Sequence, residues 1–166
     1  MTEPKDPMEV IGPAVEGTKS VLEACKESGV RRVSITSSTV AIYEGDATTA
    51  PEVYTEEHWS DVNYKKIATY EKSKTLAERA AWDFWNALPE GDRFELSTCN
   101  PGAIFGPSLI GGGFTSGKII EMFMTNSFPG GVPRLNLPCV DVREVAKAHI
   151  ESIKRDQAQG NRHILA

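Results

Sequence analysis

The sequence predicts an α/β fold built on a parallel sheet, and three observations carry that prediction. Helix-patterned and strand-patterned segments alternate along the 166 residues. Two short apolar strands, one around Val33 and one around Leu96, end respectively in hydroxyl residues and in Pro101-Gly102. A helical pattern lies between them, as a crossover between parallel strands requires.

Taken in order, a first helix is expected from about Asp6 to Ser28, with Val10, Val15, Val21 and Leu22 among its apolar positions. Gly12-Pro13 is an irregularity within it, and Gly29 fits a C-terminal cap. Residues 30–36 read as a buried strand. Residues 39–63 mix Gly, Thr, Pro and acidic side chains and read as a long functional loop. The second helix is expected over 64–88, with Leu76, Ala80, Phe84 and Leu88 as its buried stripe. A strand at 94–99 runs into a Pro/Gly loop, followed by a helix at 115–125 and an extended piece at 132–140. Helix 142–154, N-capped by Asp141, and strand 162–165 close the pattern. No repeat or low-complexity stretch divides the chain, so residues 1–166 read as one domain.

Tyr70 and Lys74 carry the chemistry. Four residues apart on a helix, the phenol and the ammonium share a face, their Cβ atoms about 5–6 Å apart. A nearby cation favours the phenolate, so Lys74 is expected to lower the pKa of Tyr70 and suit it to proton exchange with a substrate oxygen. In a chain with four tyrosines such a pair arises easily by chance, and its surroundings give it weight. The strand before it ends in Thr36-Ser37-Ser38, and the strand after it in Asn100-Pro101-Gly102. In a parallel sheet both ends open on one edge. Ser38 would then hydrogen-bond the oxygen that Tyr70 protonates.

These residues resemble the extended short-chain dehydrogenase/reductases, in particular the dihydroflavonol reductase and cinnamoyl-CoA reductase group. The matching segments are Asp6–Ile11 with Val15-Glu-Gly17, Val30–Val33, Thr36–Ser38, Val53–Asp61, Ser73–Trp82, Asn100–Gly102, Phe105–Pro107 and Val140–His149. They run over nearly the whole chain in family order. The resemblance implies a partial Rossmann-like, doubly wound sheet, its middle and later part. It also implies reduction of a small-molecule carbonyl (ketone, aldehyde or flavonoid-like) with NADP or NAD. Ser38 becomes the hydroxyl that positions the carbonyl, Tyr70 the general acid/base, and Lys74 the residue that holds the nicotinamide ribose. Pro101, Gly102 and Ala103 fall where backbone packs against the nicotinamide, with Thr36 and Ser37 beside it. Tyr43 sits where some relatives touch substrate. The same Tyr/Lys pair serves sugar-nucleotide epimerases and dehydratases, but Val53–Asp61 favours the reductases.

The departure is at the phosphates. Family members open with a strand and a Gly-x-x-Gly-x-x-Gly turn that leads into a helix cradling the pyrophosphate, and no such motif occurs here. The sequence looks like the middle of a reductase, and a truncated product that only binds partners is the remaining alternative. A half-sheet leaves an uncovered edge, so the chain is expected to be marginally stable alone or to form a homodimer.

Other function classes fare worse. Net charge is −5 and pI about 5.3, giving no basic face for nucleic acid. No apolar run approaches the ~20 residues that cross a bilayer, and no secretory segment is visible, so no membrane partner is expected. Cys25, Cys99 and Cys139 are odd in number and lack metal-type spacing, which points to a reducing, cytoplasmic setting. His58, His149 and His163 stand apart from any ligand cluster, so no metal is expected. Gly112-x-x-x-x-Gly117-Lys118 imitates a phosphate loop, but Ile119 replaces the required Ser or Thr and no buried strand precedes it. A mobile loop opening at Gly111–Gly113 fits that segment better.

Overall fold

A computed structural model describes residues 3–109, 111, 115–125, 127, 131 and 136–166. Its frame is a parallel sheet of three strands in the order β1-β2-β5: β1 Arg32–Thr36, β2 Glu95–Pro101 and β5 Arg162–Leu165. Helices α1 (Met8–Glu27) and α3 (Thr69–Ala87) cover one face of it, and α5 (Val142–Lys154) covers the other. A second parallel pair joins β3 (Ala103–Phe105) to β4 (Cys139–Asp141). The expected doubly wound α/β arrangement is therefore present.

Alternation along β1 explains the two faces. Ser34 and Thr36 point at α5, where their hydroxyls meet Ser152 and His149. Val33 and Ile35 pack on the opposite side against the core of Leu22, Ala81, Leu88, Phe94 and Leu96. Strand β2 lies in the middle, and Leu96 through Pro101 are all buried. Four of those six side chains (Ser97, Thr98, Cys99, Asn100) are polar or weakly polar, so partners must be found inside.

Helix α1 ends as expected. Gly29 takes φ +65°, while Gly29 N–H donates to Lys26 O and Val30 N–H to Cys25 O, the paired bonds of a Schellman cap. Pro13 sits within the helix without ending it. Helix α3 begins later than expected, at Thr69 and not near residue 64. Residues 61–67 form turns, and Ala68 offers no side-chain cap. The Glu3 carboxylate serves instead, accepting from Thr69 N–H and, at 2.5 Å, from its hydroxyl. An acidic group there also favours the positive end of the helix dipole.

The α3 stripe is also different from the periodic expectation. Ala80 and Leu88 are buried, but Leu76 and Phe84 only partly, and the fully enclosed positions include Thr75, Glu78 and Ala81. The helix packs on α1 as well as on the sheet, so its hidden arc is wider than one apolar line. The long loop contains one short helix, α2 (Val40–Tyr43), tied down where Ser60 Oγ donates to Val40 O at 2.7 Å. Helix α4 (Thr115–Met124) occupies its expected place. Asp141 caps α5 by accepting from Arg143 N–H at 2.8 Å. Gly112, Gly113 and residues 132–135, on which the loop opening and part of the extended piece were expected, lie outside the described residues.

Candidate active site

Thr36, Ser37, Ser38, Tyr43, Tyr70, Lys74, Pro101, Gly102 and Ala103 all line one cavity of about 340 Å³ at the carboxyl ends of β1 and β2. The backbone ladder that forms β1–β2 continues past the strand. Ser37 N–H donates to Cys99 O at 2.7 Å and Thr39 N–H to Pro101 O at 3.0 Å, which carries Ser38 up to the mouth. Helix α3 delivers Tyr70 and Lys74 from its first turns.

The Ser38 hydroxyl is loosely engaged. It donates to Pro101 O at 3.5 Å and accepts from Val40 N–H at 3.3 Å, both long for hydrogen bonds. The Tyr70 hydroxyl has no hydrogen-bond partner among the described residues. Lys74 Nζ lies 5.9 Å from the centroid of the Tyr70 ring and has no ion pair or hydrogen bond among the described residues. Three polar groups therefore face one cavity with capacity to spare.

The expected lowering of the Tyr70 pKa does not hold. Partial burial of the phenol, and after it the charge of Glu71, push Tyr70 upward from the ordinary tyrosine value. The ammonium stands over the ring and not at the hydroxyl, and Glu71, next in sequence, opposes it. Burial and Glu44 raise Tyr43 in the same way, and burial and Glu71 raise Glu44. The site thus holds a neutral phenol at neutral pH, the proton-loaded form.

Other expected contacts are partly spent elsewhere. The Ser37 hydroxyl turns inward and donates to the Glu78 carboxylate. Thr36 Oγ1 pairs with His149 Nε2 at 2.8 Å, and His149 Nδ1 donates to Val145 O at 2.9 Å. Gly102 N–H donates to Leu165 O and Ala103 N–H to Pro138 O, so Pro101–Ala103 offer the cavity surface and few free donors. A Cβ on Gly102 would stand 2.3 Å from Pro138 O, which is why glycine is required there. Beside the cavity runs an apolar groove of about 570 Å³ that includes Phe105, Leu109 and Val142; its only charged side chain among the described residues, Arg143, is held by Asp141.

Sequence reasoning missed the group beneath the site. Glu78, 2% exposed, is no surface partner of Lys74. Its Oε1 accepts from Arg162 Nε at 2.6 Å and Trp82 Nε1 at 3.4 Å, with Thr98 Oγ1 3.2 Å away sharing its one proton with Asn100 Oδ1. Its Oε2 accepts from Asn100 Nδ2 at 2.7 Å and from Ser37. Arg162 also donates to the carbonyls of Glu56 and His58, and its guanidinium lies 3.7 Å from the Trp59 ring centroid, which pins the 52–63 loop to the sheet. Glu78 is one of several charged residues on its helix and carries no local signal; a lone arginine, Arg162, opening the short last strand was the available hint.

Comparison with known proteins gives the family. The model of the 3-beta hydroxysteroid dehydrogenase/isomerase family matches residues 2–163. A putative NADPH-dependent methylglyoxal reductase, GRP2 of Candida albicans, is 37% identical over 95% of this chain and 50% of its own length. Cinnamoyl-CoA reductase CAD2 of Medicago truncatula is 35% identical over 97% of this chain and 49% of its own. The crystal structure of yeast methylglyoxal/isovaleraldehyde reductase Gre2 with NADPH superposes with a TM-score of 0.83 at 28% identity, covering 100% of this chain and 53% of that one. The chain thus spans about half the length of the curated relatives it matches. With parallel strands and a family match over residues 2–163, the chain belongs to the 3-beta hydroxysteroid dehydrogenase/isomerase family, among the extended short-chain dehydrogenase/reductases.

Proposed function

We propose that this chain carries the carbonyl-reducing half-site of an NAD(P)H-dependent oxidoreductase acting on a small aldehyde or ketone. The observation that carries the reading is the convergence of Ser38, Tyr70 and Lys74 on one cavity. The residues fit a nicotinamide ribose: Lys74 is a cation with no ion pair among the described residues, able to donate to ribose hydroxyls, and Pro101–Ala103 give a flat backbone wall. When bound, the reduced nicotinamide supplies a hydride to the carbonyl carbon. NADPH is the favoured cofactor because relatives are named as NADPH-dependent.

In this reading the Ser38 hydroxyl, held by no short bond, donates to the substrate oxygen and orients it. Tyr70, kept neutral by its partial burial and by Glu71, gives its proton to the oxygen as negative charge develops there. Tyr43 also lines the cavity and would limit the substrate's size.

The test is a fluorescence titration of the purified chain with NADPH and NADH, followed by aldehyde reduction. Saturable binding weakened by Lys74→Ala, with turnover reduced about 10²–10⁴-fold in Tyr70→Phe, is expected. Full activity in Tyr70→Phe would refute the mechanism. No binding at millimolar cofactor would leave the chain a non-catalytic piece.

A further inference from the structure

We infer that Asn100 is a positioning residue that locks Ser38 to the helix carrying Tyr70 and Lys74. Its kinetic consequence rests on the proposed function; its geometry does not.

Asn100 is 0% exposed, at the end of the central strand. Both amide N–H groups are used: one donates to Glu78 Oε2 at 2.7 Å and the other to the backbone carbonyl of Ser38 at 3.2 Å. Its Oδ1 accepts from Thr98 Oγ1 at 3.0 Å. The amide has one workable orientation, because a flip would turn its oxygen toward two acceptors. A buried amide with every proton committed to oxygens of two different elements is a fixed spacer between them.

The elements it joins are the two halves of the site. Ser38 lies just past β1, where the ladder bonds of Ser37 and Thr39 leave its own carbonyl to Ala41 N–H at 3.1 Å and to the Asn100 side chain. Glu78 lies on α3, four residues from Lys74 and eight from Tyr70. The Ser38–Asn100–Glu78 chain therefore sets the distance between the strand end bearing the hydroxyl and the helix bearing the phenol. The Ser38 hydroxyl has only its two long contacts, so the orientation of the peptide at 38 aims it.

The test compares Asn100→Ala with Trp85→Phe, which removes a partly buried hydrogen bond from Trp85 Nε1 to Phe94 O at 2.6 Å, away from this chain of contacts. Amide hydrogen exchange of segment 37–43, NADPH affinity and saturating carbonyl reduction are measured for each. Asn100→Ala is expected to speed exchange in 37–43 and lower kcat, each about tenfold or more, with KM and NADPH affinity held within about twofold. Trp85→Phe is expected to lower the melting temperature while leaving kcat and that exchange within about twofold of the parent. Unchanged exchange in Asn100→Ala, or an equal kcat loss in Trp85→Phe, would overturn the inference. Should the parent chain reduce no carbonyl, the proposed function falls and the exchange comparison alone decides the positioning role. Should Asn100→Ala fail to fold, the parent's Asn100 side-chain amide is read by NMR: slow exchange supports the inference and solvent-like exchange refutes it.

Discussion

Glu78→Gln is the perturbation with the most calculable outcome. The Glu78 side chain is 1% exposed and that of Arg162 is 8% exposed. Neutralising the carboxylate leaves a guanidinium enclosed without its counter-charge. The new amide group also needs acceptors, and only the hydroxyls of Thr98 and Ser37 can serve, each by giving up its present donated bond. Placed at Oε1 it faces donors on Arg162, Thr98 and Trp82; placed at Oε2 it faces Asn100 and Ser37. Removing one partner of a buried ion pair costs about 3–5 kcal/mol. With unfolding entropy near 2.1 cal/mol/K per residue, that corresponds to a melting temperature lower by roughly 9–14 °C for a chain of this length. Thermal unfolding and urea titration measure it. Replacing both partners, Glu78→Leu with Arg162→Met, is expected to cost less than the single change, because no charge is stranded. A Glu78→Gln chain within about 1 kcal/mol of the parent would refute the claim that this pair is sealed and fully committed.

Two further outcomes follow from the site. Gly102→Ala places a methyl 2.3 Å from Pro138 O, which also accepts from Ala103 N–H at 2.8 Å; β4 must give way, costing about 1–3 kcal/mol and weakening cofactor binding, as melting and titration would show. Because Tyr70 is raised above its ordinary 10.0, the reducing rate should stay flat through neutral pH and fall only as pH rises past 10, the reverse of a Lys74-tuned phenolate. The stability arising from that shift is likewise complete below 10.0 and lost as pH climbs through the folded value. An alkaline limb centred below 10 in the pH–rate profile would contradict the ordering of burial and Glu71 over Lys74.

The parts of this molecule legible in the sequence are those set by local spacing. Gly29 announces its cap, Asp141 its helix, and Tyr70 and Lys74 their shared face, because each depends on residues a few positions away. What escaped depends on distant partners. The start of α3 is fixed by Glu3, 66 positions earlier, and the fate of Glu78 by Arg162, 84 positions later. A charged residue on a patterned helix is assigned to solvent by default, so a buried carboxylate is hidden by the rule that finds the helix. The same default assigned Lys74 the decisive influence on Tyr70, while the opposing charge of Glu71 and the partial burial of the ring prevailed.

Helix geometry accounts for how one segment serves both site and core. At about 100° per residue, positions 70, 74 and 78 drift by roughly 40° per step around α3. The first two turn toward the cavity. The third, about 80° from the first and 12 Å further along the axis, has rotated under the sheet and lies within reach of Ser37, Thr98 and Asn100. At i+4 from Lys74, a carboxylate has the spacing to pair with that lysine and take from the cavity its unpaired cation. Placed at 78 it binds Arg162 instead, leaves Lys74 free of any ion pair among the described residues, and grips through Asn100 the backbone that presents Ser38. Under the proposed function, the spacing of the three residues divides labour along one helix: the outer pair would exchange a proton and bind cofactor, and the inner carboxylate would fix the strand end they must meet.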